Sequence, residues 1–413
     1  MEHWREWLTK SYGKKLNKIH AWNAVTILLL TITGILLYVP AFRTLGAIRV
    51  IVKDVHIYLG VLSIFLILLY IPLIFKHLKQ LKGKLGQRWN LGIVLFILLG
   101  WSLSGIVLWQ LRSFPPSWNN AALLIHDLFT FVGVPYAIYH SITRIRWLKS
   151  PARRKKVDYT GETPQERSLT DLLYTRRVFI RWSIALVLLA AIGPSLYRWL
   201  RSNFTTITPP LDKLLTESGN RMLPPPSPMA DSLIPIGGGY QGNFRIYTVT
   251  PIPSFSSDKW KFGVAGLVDH PMQLDWQSFI NIHRKVQVSD FHCVTGWSVY
   301  KLTWEGIPLS AFLKLAGVQK KAKFVKFYSG DGVYTDTLSL EQAAMDDVML
   351  AVLLDGKEIP QDYGGPVKLI VPKMYAYKSV KWLQSIELIE EDHIGYWEAR
   401  GYDTDAWVDK PSV

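Results

Sequence analysis

The chain has one cysteine, Cys293, among 413 residues, and that excludes an internal disulfide framework. Acid is scarce in its first half. Residues 1–204 hold 8 Asp and Glu against 27 Lys and Arg, a net of +19, whereas residues 205–413 hold 24 against 20, a net of −4. The opening stretch MEHWREWLTKSYGKKLNKIH has no short apolar core with a cleavage site, so it is not expected to be a removable secretory signal. A basic excess of this size can mark a nucleic-acid binder. Here it alternates with long apolar runs, which points to membrane topology and away from nucleic acid. The length leaves room for two or three domains.

Five segments, near 20–41, 55–75, 90–111, 121–147 and 178–200, are apolar and long enough to span a bilayer core. Basic residues orient them. The N-terminal tail, the loop after the second span and the stretch from Arg144 to Arg181 together hold 21, and the alternate segments hold 6. By the positive-inside rule the N-terminus lies in the cytoplasm and the C-terminus outside. Arg176 and Arg177, followed by Phe179, Ile180, Arg181 and an apolar run, resemble the twin-arginine signal that exports folded, cofactor-loaded domains. The alternative is that these arginines only anchor a fifth helix on the positive side.

An imidazole within a span is costly to bury and reads as functional. His20 opens the first span at its inner end, and His56 lies near the outer end of the second. The fourth carries His126 near its outer end and His140 near its inner end. The 14 residues between those two give about 21 Å of rise and fall about 40° short of four turns, so both rings face one side at two depths. Depth then pairs His20 with His140 and His56 with His126. Facing histidines in a bundle, with no cysteine nearby, suit bis-histidine haem b. The alternative is a set of hydrogen-bonded helix-end histidines. His77 falls in a basic inner loop and is expected to be solvated.

On these residues, with Asp54-Val-His56 and Gly60 one turn on, residues ~14–147 resemble the bacterial di-haem cytochrome b family of nickel hydrogenase and formate dehydrogenase membrane subunits. The resemblance implies two b haems and electron exchange with membrane quinone. No motif marks a quinone site.

Prolines at 209, 210, 224, 225, 226 and 228 make 202–235 a stiff linker. Beyond it, short apolar runs alternate with Gly, Asp and Pro turns: FRIYTVT, KFGVAGLV, KVQVSDFHCV, KFVKFYSGDGVYTDTLSL, VMLAVLLDG, VKLIVP and SVKWLQSIELI. The pattern predicts a mostly β domain with short helices at 308–316 and 341–345. By composition alone, Cys293 is a small buried hydrophobe.

Its surroundings say otherwise. Gly266-Leu-Val-Asp-His-Pro, HCVTGWSVYKLTWEGIPLSAFLKLAGV, Ser329-Gly-Asp-Gly-Val-Tyr, Gly364-Gly365-Pro366, Tyr377-Lys378-Ser379-Val-Lys381-Trp382 and Gly395-Tyr-Trp-Glu398 through Tyr402 are similar to the sulfite-oxidase-type molybdopterin domain, over about 245–405. The likeness is to the branch with the periplasmic methionine sulfoxide reductase catalytic subunit. It implies molybdenum held by a pterin dithiolene and the Cys293 thiolate, a soft ligand for a transition metal. It also implies a pterin phosphate held by Lys378, Ser379 and Lys381, whose alternative is a pair of surface lysines. His292 is placed to donate to the cofactor, and Asp331-Gly332 to shape a turn at the pocket edge. Three residues depart from the family pattern: Lys368 where arginine is usual, Tyr377 for Trp or Phe, and Met374 in the pocket-lining loop. Residues 205–413 hold only four arginines (Arg221, Arg245, Arg284, Arg400), so a dedicated sulfite clamp is doubtful and a neutral sulfoxide is at least as good a substrate.

The expected architecture is a membrane all-α bundle, four haem-binding helices plus a fifth transmembrane helix, followed by a mostly-β α+β sulfite-oxidase-like domain. Its parts are 1–150 (di-haem bundle), 151–201 (basic loop and fifth helix), 202–235 (linker) and 236–413 (molybdopterin domain). The expected function is oxygen-atom transfer on a small sulfur-type substrate outside the cytoplasm, by sulfoxide reduction or sulfite-like oxidation, with electrons passing through two haems to or from quinone. Two other classes compete. One is a haem-bearing electron carrier whose outer domain docks a partner protein; the other is a membrane anchor or receptor without haem.

Overall fold

The computed structural model describes residues 12–39, 47–144, 176–204 and 222–409. The basic loop 145–175 and the first part of the linker, with Pro209-Pro210, lie outside the described residues. Five long helices come first: α1 (Tyr12–Tyr38), α2 (Ala47–Gln80), α3 (Leu85–Trp109), α4 (Pro116–Arg144) and α5 (Arg176–Phe204). All five are long and apolar enough to cross a membrane. Their apolar residues do not all face inward: Phe75, Phe96 and Leu186 are 73, 66 and 67% exposed, as on helices that are hydrophobic all round.

The helices run beyond the apolar segments that announce them. α1 begins two turns before His20, so that histidine lies inside a helix and does not open it. Likewise α2 continues through Lys76–Gln80, because lysine, leucine and glutamine sustain a helix after the apolar run has ended. His77 is therefore a helical residue, half-buried, with its Nδ1 2.7 Å from the Tyr70 hydroxyl, and not a solvated loop histidine.

The chain divides into two compact units, 1–21 with 64–105 and 124–205, and 22–63 with 106–123 and 206–413. In the first, α3 and α4 close on each other at Gly100 and Gly133, where an added Cβ would lie 2.3 Å from Phe129 and 2.7 Å from Trp101. Trp101 Nε1 donates to Thr130 Oγ1 (3.1 Å). From α5, buried Trp199 donates to buried Asp127 Oδ2 (3.1 Å) on α4 and packs against Phe131.

In the second unit the C-terminal part folds around two five-stranded sheets. One runs β2 (Met272–Asp275), β1 (Lys261–Gly266), β10 (Leu383–Ile389), β5 (Phe324–Ser329), β6 (Thr335–Ser339), with β1 and β10 parallel and the other pairs antiparallel. The other runs β3 (Lys285–His292), β4 (Ser298–Pro308), β7 (Met349–Leu354), β8 (Lys357–Glu358), and β9 (Lys368–Ile370) also pairs with β7. All six β7 residues are buried, the mark of a strand covered on both faces. Helix α6 (Leu309–Ala316) buries Leu309, Phe312, Leu313 and Ala316 at helical spacing. Phe312 packs on Phe262 and Phe279 at 5.1 and 5.6 Å, and each such buried side chain contributes about 1.5–3 kcal/mol.

Two expectations are corrected. FRIYTVT (244–250) forms no strand: Pro251 and Pro253 follow it, and its side chains go into an aromatic cluster instead. Residues 222–235 are no free linker, since Met222 is buried, Trp276 donates to Pro224 O, and Arg284 donates to Ser227 O. The longest strand, β4, lay unread inside the cysteine motif.

Candidate functional site

Cys293 follows β3 at the tip of the β3–β4 hairpin. Its N–H donates to Trp297 O and its carbonyl accepts from Gly296 N, both at 2.9 Å. Gly296 has φ +92°, and a Cβ there would lie 2.9 Å from Leu108 and 3.6 Å from the Asn119 carbonyl. Only glycine fits that turn against the 106–123 segment.

The thiol lies 3.2 Å from Thr295 Oγ1. Burial pushes its pKa up, opposed by Thr295, Arg245 and Lys381. Around it stand cations with little opposing acid. Lys368 on β9 is 1% exposed, its ammonium 4.3 Å above the Phe291 ring and 5.6 Å from Phe244 and Trp304. Burial, then Lys381, holds its pKa well below the usual lysine value, and Cys293 pulls the other way. Lys381 Nζ donates to Tyr247 O (3.1 Å) and Asp362 O (3.2 Å), and burial lowers it to about 8 against the pull of Asp362 and Cys293. Trp297 Nε1 and Trp304 Nε1 are buried with no hydrogen-bond partner among the described residues. Cations and unpartnered indole N–H groups of this kind suit an anionic, oxygen- or nitrogen-rich group.

The other expected residues are placed differently. Lys378 is turned away into a buried ion cluster: its Nζ bonds Asp336 Oδ1 (2.9 Å), Thr337 O (3.1 Å) and Glu398. Burial works to lower its pKa, but the two carboxylates prevail and it stands above the ordinary value, while burial raises Asp336 to about 6. With its charge already met, Lys378 does not join Cys293 and Lys381. Ser379 Oγ accepts from Val371 N (3.1 Å). Asp331 shapes a turn as expected, its Oδ1 accepting from Val333 N and Tyr334 N. His292 Nδ1 lies 2.9 Å from Ser298 Oγ, and burial lowers its pKa, opposed by Asp290 and Asp409. Tyr402, T-stacked on Tyr377 at 5.4 Å, is raised to about 12 by burial and then by Cys293, which makes it a neighbour of the thiol.

Three of the four helical histidines have one ring nitrogen braced, and His20 faces the ring of His140. The His20 and His140 rings lie 6.1 Å apart with planes at 25°. His140 Nδ1 lies 3.0 Å from Asn90 Oδ1, which also accepts from Tyr136. His56 Nδ1 lies 2.8 Å from Thr33 Oγ1, and His126 Nδ1 3.0 Å from Ser104 Oγ. Bracing one ring nitrogen is the usual support of a metal-ligating histidine, and a metal would then be bound through Nε2. A Cβ at Gly34 or Gly105 would stand 3.4 or 3.8 Å from the ring of His56 or His126, and beside Gly60 there is open space. The first unit holds His126 and the second His56. Thr33, Asn90 and Ser104 were missed from sequence, although a polar residue in an apolar helix was the available signal.

The model of the oxidoreductase molybdopterin binding domain matches residues 249–397. The uncharacterized oxidoreductase YuiH of Bacillus subtilis (strain 168) is 33% identical over 161 residues, 39% of this chain and 81% of YuiH. This chain belongs to the molybdopterin-binding oxidoreductase family. It is an enzyme of the sulfite-oxidase type, which removes the carrier and receptor alternatives. Similarity extends to the putative protein-methionine-sulfoxide reductase subunit YedZ1 of Azospira oryzae, 32% identical over 143 residues, 35% of this chain and 54% of that one. The protein-methionine-sulfoxide reductase catalytic subunit MsrP of Campylobacter jejuni is 26% identical over 162 residues, again 35% and 54%. The chain spans about half the length of these last two relatives. For a molybdopterin oxidoreductase, the cation-lined thiol fits the group: a soft sulfur for the metal and fixed positive charge for the pterin phosphate.

Proposed function

We propose that this molybdopterin oxidoreductase is a membrane enzyme that reduces a small sulfoxide outside the cytoplasm, drawing electrons from membrane quinol through two b haems. The carrying observation is the half-buried Cys293 thiol whose charge is felt by Arg245, Lys368 and Lys381. In this reading Cys293 ligates molybdenum, Lys381 and Lys368 meet the cofactor's negative charge, and Trp297 and Trp304 offer it their indole N–H groups. The bound metal would supply two-electron oxygen-atom exchange, and the haems one-electron carriage. A neutral sulfoxide needs no arginine clamp, and relatives named for methionine sulfoxide support that substrate class.

The haem reading rests on four helical histidines, three of them braced at Nδ1. Two imidazoles on one iron, at about 2 Å per bond and about 1 Å more to each ring centre, stand about 6 Å apart, and His20 and His140 have that spacing at 6.1 Å. Membrane crossing is supported by the exposed apolar helix faces, and outward placement of 222–409 by the split of 21 basic residues to 6. Residues 1–150 are then the haem bundle, 151–201 the basic loop and fifth helix, and the catalytic domain begins at 222, not 236.

The test uses purified full-length protein. One molybdenum and two haems b per chain are expected, and methionine sulfoxide should reoxidise the reduced haems. Cys293→Ser should keep both haems and lose that response, because a hard alkoxide suits the metal's softer states poorly. Near-wild-type turnover per haem in Cys293→Ser would remove the molybdenum assignment.

A further inference from the structure

Arg49, in the first turn of α2, has no role in the reading above. Its Nη2 donates to Leu37 O on α1 (3.0 Å), and its guanidinium carbon lies 5.0 Å over the Tyr247 ring. Its Nη1 is buried and has no hydrogen-bond partner among the described residues. One turn on, the Lys53 ammonium lies 5.3 Å from the Tyr402 ring, with Asp54 3.3 Å away as its half-exposed counter-ion. A buried guanidinium N–H without an acceptor is more costly than a neutral one, and the planar fork matches carboxylates and oxyanions.

The Cys293 site and His56 both belong to the same unit as Arg49. Toward the domain, the Tyr247 carbonyl binds Lys381, and Tyr402 senses both Cys293 and Arg49. Along α2, Arg49 precedes His56 by seven residues, about 10 Å of rise and about 20° off the same helix face. Residues 205–413 have few arginines of their own, so this one comes from the helical part of the chain.

We propose that Arg49 Nη1 binds an anionic oxygen, a carboxylate of a haem held by His56, with a sulfur oxyanion at the Cys293 site as the competing outcome of the test. The proposal rests on the functional reading above. It is tested with the full-length protein as wild type, Arg49→Gln and Arg49→Lys, by optical redox titration of the haems and by calorimetry of sulfite binding. If a haem carboxylate is the ligand, Arg49→Gln lowers the midpoint potential of one haem, Arg49→Lys retains most of it, and sulfite affinity stays put. Sulfite binding about ten-fold or more weakly with both potentials unchanged would overturn the proposal, and with it the neutral-sulfoxide reading. Unchanged potentials and unchanged sulfite affinity in Arg49→Gln would overturn the proposal and leave a packing contact with Tyr247. Should Arg49→Gln not accumulate, Arg49→Met, which keeps an apolar stem over Tyr247 but loses the charge, carries the same readouts. Wild-type protein that binds no haem would refute the functional reading itself, whereas unchanged potentials in an Arg49→Gln protein that holds both haems would refute the role of Arg49 alone.

Discussion

Lys368 shows how a single residue can be costly for the fold and useful to the site. An unfolded lysine is charged below about 10.5. In the fold, burial among Phe244, Phe291 and Trp304 holds its pKa well below that, so folding at neutral pH must either shed the proton or bury the charge. Lys368→Met should therefore raise the thermal midpoint of cofactor-free protein, by about 1–3 kcal/mol of stability. It should lower molybdenum retained per chain, because the anionic cofactor loses a cation. Calorimetric melting and metal analysis check the two halves, and a variant that is both less stable and fully loaded would contradict them. Lys378 is the contrasting residue. Its pattern, lysine two places from another before a strand, reads the same in sequence, yet Asp336 and Glu398 claim its ammonium. Which of two near-identical lysines is free for a cofactor depends on acids 42 and 20 residues away.

At the scale of elements, hydropathy located all five helices and missed their ends by up to two or three turns. The apolar run marks what prefers lipid, whereas the helix persists wherever propensity allows. Depth along those helices motivates a pairing prediction. His20→Ala and His140→Ala, whose rings lie 6.1 Å apart, should each remove the same haem. Haem quantitation with low-temperature spectra decides it: one variant losing both haems while its proposed partner loses none would break the pairing. The braces Thr33, Asn90 and Ser104 were visible as polar residues in apolar helices, but not which histidine each would hold. That needs the rotation of one helix against the next. The strand at 244–250 failed for a related reason: alternation predicts a strand only where a neighbour supplies the ladder.

For the whole molecule, we propose from the charge asymmetry and the residues following Arg176 that the folded domain is exported. Replacing Arg176 and Arg177 together by lysine keeps the positive charge but removes the signal. The catalytic domain should then become inaccessible to protease added to the outer face of intact cells or spheroplasts. Unchanged accessibility would reduce the pair to a topological anchor. The buried Trp199–Asp127 bond joins α5 to α4, so the helix that follows the arginines is packed into its unit and not merely appended to it.

By itself the sequence determined the order of the parts, the sign of charge on each loop, the positions of four histidines along apolar helices and the cysteine turn. These follow from local pattern, since hydropathy, helical rise and a glycine-bearing motif act over a few turns of chain. The tertiary structure decided the rest. It gathered Arg245, Lys368 and Lys381 around Cys293 and diverted Lys378 into an ion cluster. It also drew 222–235 onto the domain and left Arg49 with a buried, unanswered N–H beside Tyr247. Each of these joins residues tens to hundreds of positions apart. Burial sets their protonation and partners, and burial exists only once distant segments have packed.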